Sequence, residues 1–225
     1  MRVSTRVTRY PVPAARHRVE QTIERSRFIC TIERVSAPED AQRFIRGIDH
    51  EFGNATHNCW AYVADAPAST NRVGMSDDGE PHGTAGRPML TVLLHSGVGE
   101  IAAVVTRFYG GTKLGTGGLV KAYGGAVQLA LETMPRAERI DWVTVAVTIG
   151  YASVTIAQQQ FVRYEAEMVE QQYGVDVRYL LRVPRPHLVE LREALANATS
   201  GEAHFEDSDQ SEDGPSEISQ SSGPP

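Results

Sequence analysis

The feature that most constrains the fold is a glycine-rich run that separates a strand-like segment from a helix-like one. Residues 101–108 (IAAVVTRF) are apolar and β-branched, which predicts a buried central strand, and residues 119–134 carry small and apolar side chains at helical spacing. Between them lies YGGTKLGTGG, residues 109–118. A strand, a glycine-rich turn and a helix form the arrangement in which unpaired N–H groups and the helix dipole receive an anion. The run therefore predicts an α/β core with an anion-binding turn.

We predict that this turn binds phosphate or an RNA backbone. Thr116 is the expected N-cap of the helix, and Lys113 and Lys121 add positive charge. The spacing matches neither the P-loop nor the dinucleotide-binding glycine pattern. An alternative stays open, in which the glycines only let the strand, turn and helix approach closely. The candidate anion- or nucleic-acid-binding residues are Arg87, Arg107, Tyr109, Lys113, Thr116, Gly117, Gly118 and Lys121.

A second group of polar residues lies in SDDGEPHGTAGRP, residues 76–88. Its side chains could transfer protons beside a bound phosphate, yet their spacing matches no zinc or calcium pattern and no nucleophile elbow. Asp and Ser in such loops more often bond to the backbone of the loop itself. The sequence therefore predicts no catalytic residue, no metal site and no cofactor here. The residues of this loop that we single out are Ser76, Asp77, Asp78, Glu80, His82 and Thr84.

The periodicity of the remaining chain predicts two mixed units. In the first, the predicted elements are strands at 19–24, 27–35 and 57–64, a helix at 38–52 with a capping box at 36–39, a loop at 65–87 and a short helix at 88–95. In the second, they are a strand at 142–149, a helix at 153–164, strands at 168–173 and 175–183, a helix at 184–198 and a strand at 203–206. The second order, βαββαβ, is the ferredoxin-like one. The fold class is thus α+β with two domains.

Composition fixes the limits of these units and the compartment. Residues 1–18 are expected to be a flexible arm, residues 19–136 and 137–207 the two domains, and residues 208–225 a disordered acidic tail. The last 25 residues hold seven of the 28 acidic side chains and no Lys or Arg, so the rest of the chain has 22 basic against 21 acidic residues. No apolar run approaches the roughly 20 residues of a membrane span, and no secretory signal is evident. We expect a cytoplasmic protein.

Three segments of the chain resemble the YigZ/IMPACT family. They are SRFI at residues 26–29, SDDGEPHGTAGRPML at residues 76–90, and GVGEIAAVVTRFYGGTKLGTGGLVKAYGG at residues 97–125. The resemblance spans about residues 19–207, although Arg25 stands where the family usually has Lys and Asn58 replaces a His. It implies a first domain, an α/β sandwich, like domain IV of elongation factor G, a fold shared with a small-subunit ribosomal protein. It implies a second domain like domain V of that factor.

The resemblance also implies a function, since eukaryotic relatives regulate translation by competing for an activator of a starvation-sensing kinase. The leading hypothesis is a non-enzymatic regulator of translation or stress response that binds RNA, the ribosome or a translation-associated protein through the glycine-rich turn. One alternative is an enzyme acting on a phosphorylated small molecule or nucleotide at residues 76–88. Another is a protein-interaction scaffold that uses the acidic tail. The sequence predicts no membrane partner and does not define an oligomeric state.

Overall fold

A computed structural model of the chain describes residues 9–206, which divide into two compact units between Arg139 and Ile140. The sequence placed this boundary three residues earlier, between 136 and 137. The predicted tail at 208–225 lies outside the described residues. No helix of residues 9–206 is long and apolar enough to cross a membrane.

The first unit is a five-stranded antiparallel sheet with helices on both faces. Its sheet order is β2-β3-β6-β4-β5, and β1 pairs with β7 in a separate two-stranded sheet. Its elements are β1 (Arg9–Pro13), β2 (His17–Ile23), β3 (Ser26–Arg34), α1 (Pro38–Glu51), β4 (His57–Val63), β5 (Val73–Ser76), α2 (Gly86–His95), β6 (Ile101–Phe108), α3 (Gly115–Thr133) and β7 (Arg136–Ile140).

Alternation along β4 shows how the two faces are covered. Cys59, Ala61 and Val63 point into the larger core beneath α2 and α3, whereas Trp60 and Tyr62 pack with α1 on the opposite face. The sheet is therefore buried on both sides, as the uninterrupted apolar run of β6 predicts. The α/β sandwich predicted for this half of the chain is confirmed.

The second unit is a four-stranded sheet with two helices. Its strands lie in the order β11-β8-β10-β9, and the helices bury Phe161, Leu191 and Leu195 against one face. This order and the chain sequence βαββαβ confirm the ferredoxin-like prediction. Its elements are β8 (Trp142–Ile149), α4 (Val154–Arg163), β9 (Glu167–Tyr173), β10 (Val177–Pro184), α5 (Leu188–Ala198) and β11 (His204–Glu206).

The prediction of a flexible arm over residues 1–18 is wrong from residue 9 onward. Tyr10 and Val12 are buried, and the Tyr10 hydroxyl donates a 2.9 Å hydrogen bond to Glu100. Pro11 and Pro13 fit into β1 because a two-stranded sheet leaves outward N–H positions where proline is tolerated. The partner strand β7 spans the predicted boundary between the two domains, at residues 136 and 137.

Three local predictions also need correction. The 65–87 loop contains β5, which pairs with β4 at the sheet edge. Ser36 does not cap α1, because Ala37 holds the cap position and the Ser36 hydroxyl donates to Asp40 instead. Helix α3 begins at Gly115, two residues before the start that the predicted N-cap implies and a turn before its apolar periodicity begins. Thr116 therefore lies inside the helix, and Leu114 is at the N-cap.

Candidate functional site

The carboxylate of Asp77 organises the loop that precedes α2. Its oxygens accept the backbone N–H groups of Gly83 at 2.7 Å, Ala85 at 3.1 Å and Gly86 at 2.8 Å. Burial would raise the pKa of Asp77, but these three donors outweigh it and hold the pKa below its ordinary value. Asp77 thus fills the start of α2 with a negative charge supplied by the chain itself.

The other polar side chains of this loop also serve the loop. The Asp78 carboxylate accepts the Asn58 N–H at 2.6 Å, and the Thr84 hydroxyl donates to the Pro81 carbonyl at 2.6 Å. The Ser76 hydroxyl accepts the Asp78 N–H at 3.1 Å, and His82 projects fully into solvent, 3.8 Å from Asp77. None of these loop side chains pairs a nucleophile with a general base.

Glu80 is the one acid of the loop that points into the protein. It is 8% exposed, and one of its oxygens accepts hydrogen bonds from the Arg107 guanidinium at 2.5 Å and the Tyr123 hydroxyl at 2.8 Å. Arg107 also donates to the Ser26 hydroxyl at 3.3 Å. Burial, together with the neighbouring Cys59 and Glu80, raises the pKa of Tyr123. Arg107 was predicted to bind an external anion. Its guanidinium is instead paired with Glu80 inside the protein and is buried from solvent.

Histidine and cysteine side chains border this cluster from β4. The Nδ1 of His57 lies 2.6 Å from the Asp78 carbonyl, and the Cys59 thiol donates to the Asp77 carbonyl at 2.9 Å. Burial raises the pKa of Cys59 to about 12, so its thiol stays protonated at neutral pH. Within residues 9–206, no group of three His, Cys, Asp or Glu side chains is arranged to hold a metal ion.

The glycine-rich turn after β6 combines close packing with exposure. A Cβ on Gly110 would lie 1.9 Å from the Arg25 carbonyl oxygen, so no side chain fits there. Gly111 and Gly115 have φ values of +87° and +70°, a conformation that favours glycine. Tyr109 is 45% exposed, and its ring lies 5.4 Å from the Arg107 guanidinium carbon. The close-packing interpretation therefore holds for Gly110.

The start of α3 differs from the start of α2. Its N-cap makes no side-chain hydrogen bond, and Thr116 and Gly117 are exposed. Lys113 and Lys121 are exposed too, and neither side chain forms an ion pair or hydrogen bond with any residue from 9 to 206. The first N–H groups of this helix are left to solvent or to a ligand.

A groove of about 630 Å³ runs between α2 and α3. Arg87 on α2 and Lys121 on α3 provide its positive charge, so it continues the surface that begins at the start of α3. Sequence periodicity did not indicate this groove, because it arises from two helices that are packed side by side. Its lining residues are Gly83, Arg87, Pro88, Thr91, Val92, Val120, Lys121, Gly124, Gly125 and Gln128.

Comparison with known proteins places the chain. Residues 24–131 match the model of the Impact N-terminal domain, and residues 147–202 match a domain of unknown function, DUF1949. An IMPACT family member of Haemophilus influenzae is 38% identical over 85% of this chain and 93% of its own length. The chain belongs to the IMPACT family. IMPACT family member YigZ of Escherichia coli is likewise 38% identical, over 84% of this chain and 93% of that protein.

One solved structure is similar to this chain over most of its length. The crystal structure of a hypothetical protein, 37% identical, covers 88% of this chain and 96% of its own with a TM-score of 0.61. The three segments that resembled the IMPACT family meet in the buried cluster described above. Ser26 comes from the first segment, Glu80 from the second, and Arg107 and Tyr123 from the third. Much of the family motif therefore specifies an internal polar network.

Proposed function

We propose that this chain is a non-enzymatic regulator of translation that binds RNA, free or within the ribosome. The binding surface comprises the start of α3 with Lys113, Lys121 and, across the groove, Arg87. We call this the α3 surface. Membership of the IMPACT family supports the link to translation, and the charge and geometry of the α3 surface support an anionic partner.

The observation that carries the proposal is the contrast between two neighbouring helix starts. At α2 the chain provides its own carboxylate, Asp77, whereas at α3 no side chain from residues 9–206 caps the helix. Lys113 and Lys121 have no ion-pair or hydrogen-bond partner among those residues. An uncapped helix start beside unpaired cations favours binding of a phosphate. RNA offers many phosphates in a row, so the second lysine and Arg87 can each contact one.

Glycines within α3 support the same proposal. A glycine inside a helix costs roughly 0.5–1 kcal/mol relative to alanine. Gly117 and Gly125 lie in α3, and no atom lies within 4 Å of the position where either would place a Cβ. Internal packing therefore does not require these two glycines, whereas a ligand that approaches the helix backbone would.

Salt-dependent RNA binding tests the proposal. We expect a fluorescein-labelled single-stranded RNA of mixed sequence to bind, with an affinity that falls as salt rises. The variant Lys113→Ala/Lys121→Ala should bind more weakly and flatten the salt dependence by about 1.4 in log–log slope, because two phosphate contacts are lost at roughly 0.7 each. Fluorescence anisotropy at several NaCl concentrations measures both quantities.

The matched control removes two cations from another face of the same unit. Arg43 and Arg46 are exposed on α1, which covers the opposite face of the sheet. Arg43→Ala/Arg46→Ala should retain both the affinity and the salt slope of the unaltered protein. Equal losses in the two double variants would show attraction by net charge alone, and no binding at low salt would contradict the proposal outright.

A further inference from the structure

We infer that the groove between α2 and α3 holds one unpaired nucleotide of a single-stranded RNA, with its base against the helices and its phosphate at the rim. The inference deepens the proposed function and rests on it, since the same cations are used. It adds a requirement that a purely electrostatic surface would not impose: the RNA must offer a base that is not paired.

The lining of the groove is complementary to a nucleotide rather than to a bare phosphate. Arg87 and Lys121 are exposed cations on opposite helices, and neither is paired with another residue in the described part of the chain, residues 9–206. Between them the surface is largely apolar and includes Pro88, Val92 and Val120. A phosphate needs only the cations, whereas an apolar wall between them favours a flat ring system that packs beside the charge.

Gly124 and Gly125 give this groove a flat floor. A Cβ on Gly124 would stand 3.8 Å from Val92 and 4.0 Å from Pro88, and one on Gly125 would meet nothing within 4 Å. Gly124 is buried against α2, whereas Gly125 is partly exposed, so the backbone of α3 is accessible from the groove at Gly125. A planar base can lie against bare helix backbone more closely than against a helix covered with side chains.

Polar groups at the margin can contact the edges of a base. Gln128 on α3 and Thr91 on α2 both line the groove and are exposed. The Thr91 hydroxyl donates to the Arg87 carbonyl at 2.9 Å and keeps lone pairs free to accept. Base edges carry donors and acceptors in one plane, which an amide such as Gln128 can match.

The size of the groove favours one unpaired nucleotide over a duplex. A volume of about 630 Å³ lies within the usual range for sites that enclose a small molecule. In double-stranded RNA the bases are stacked inside, and the grooves present mainly phosphates, 2′-hydroxyls and base edges. A duplex can meet the cations at the rim but cannot place the face of a base on the glycine floor.

The test compares single-stranded RNA, the same RNA annealed to its complement, and AMP as a competitor. We expect the single strand to bind at least about tenfold more tightly than the duplex, in line with burial of one base face against apolar side chains. The substitution Gly125→Leu should fill the groove and remove most of that preference, while the melting temperature stays equal or rises. Affinities come from fluorescence anisotropy at one salt concentration.

Gly47→Leu is the matched control. Gly47 is exposed in the middle of α1 and, like Gly125, has no atom within 4 Å of its Cβ position. This variant should bind both RNA forms as the unaltered protein does. Any common effect of a new leucine on a helix surface would appear in both variants.

The outcomes separate this inference from the proposed function. Equal binding of single strand and duplex, unchanged by Gly125→Leu but weakened by Lys113→Ala/Lys121→Ala, would overturn the nucleotide site and leave the RNA surface intact. Binding of neither RNA form would overturn the proposed function. If AMP competed at the same concentration as the unlabelled RNA strand, the groove would be a site for a free nucleotide. The inference that RNA supplies the nucleotide would then be overturned.

Discussion

Glu80 joins two of the three segments that resemble the IMPACT family, through its hydrogen bonds to Arg107 and Tyr123. Its carboxylate is the partner of a guanidinium that is only 5% exposed, so removing it leaves a buried positive charge without compensation. We expect Glu80→Ala to lower the free energy of unfolding by about 3–5 kcal/mol. Urea denaturation followed by circular dichroism measures this change.

An exposed ion pair provides the control for Glu80. Glu20 lies 2.8 Å from Arg27, and both side chains are about half exposed. Glu20→Ala should cost less than about 1 kcal/mol, because water screens this pair and already solvates both charges. Similar losses in the two variants would mean that the network around Glu80 is open to water, contrary to the structure.

Asp77 should make the stability of this protein depend on pH. Its folded-state pKa is lowered, so its contribution is complete above the unfolded pKa of about 3.9 and is lost as the pH falls through the folded pKa. Asp77→Asn should be less stable than the unaltered protein at pH 7 by roughly 1–2 kcal/mol, because the amide keeps one acceptor oxygen but loses the charge and the second acceptor. The difference should shrink as the pH falls below the unfolded pKa of about 3.9 and through the lowered folded pKa. Urea midpoints at a series of pH values measure it, and parallel curves would contradict the role of Asp77 as a cap.

At the level of secondary-structure elements, the periodicity of the sequence predicted the helices and the buried strands. It did not predict the strands that depend on pairing with a distant segment of the chain. The bounds of β6 and β8 follow directly from their β-branched runs, and both are confirmed to the residue. The first turn of α3 was missed because four residues of low helix propensity, GTGG, hide it. The burial of Leu119 and the partial burial of Leu114 against the core compensate for that propensity.

The candidate site was likewise predicted in its local features and missed in its long-range contacts. The cations and the glycine-rich turn could be located from the sequence alone, because charge and glycine content are local properties of a segment. The pairing of Arg107 with Glu80 joins residues 27 positions apart and leaves no periodic trace. The groove depends on the packing of α2 against α3, which no single segment specifies. Long-range contacts of this kind entered the sequence analysis only through the family resemblance.

Gly110 in the turn and Gly117 in α3 should respond to alanine in opposite directions. In the turn, Gly110→Ala drives a Cβ into the Arg25 carbonyl and should cost about 1–3 kcal/mol of stability or more. In α3, Gly117→Ala meets no atom within 4 Å and should stabilise the protein by roughly 0.5–1 kcal/mol. Thermal unfolding of both variants measures the two signs. A destabilised Gly117→Ala would show that the start of α3 is not helical in solution.

At the scale of the whole molecule, the first unit depends on strands outside its predicted limits. Glu100 is buried and receives hydrogen bonds from Tyr10 on β1, from Arg34 on β3 and from Arg139 on β7. Two of these three donors lie beyond residues 19–136, the domain that periodicity defined. The small β1–β7 sheet therefore ties both ends of the unit to one buried carboxylate.

Two fragments distinguish the two domain limits. A fragment of residues 9–139 keeps all three donors to Glu100, together with the buried side chains of Tyr10 and Val12, and should unfold in one cooperative transition. A fragment of residues 19–136 exposes Glu100 and forfeits the burial of those two side chains, worth roughly 1.5–3 kcal/mol each. It should be at least about 3 kcal/mol less stable by urea denaturation. Equal stability of the fragments would mean that β1 and β7 are dispensable additions, and the limits set by periodicity would then be the physical ones.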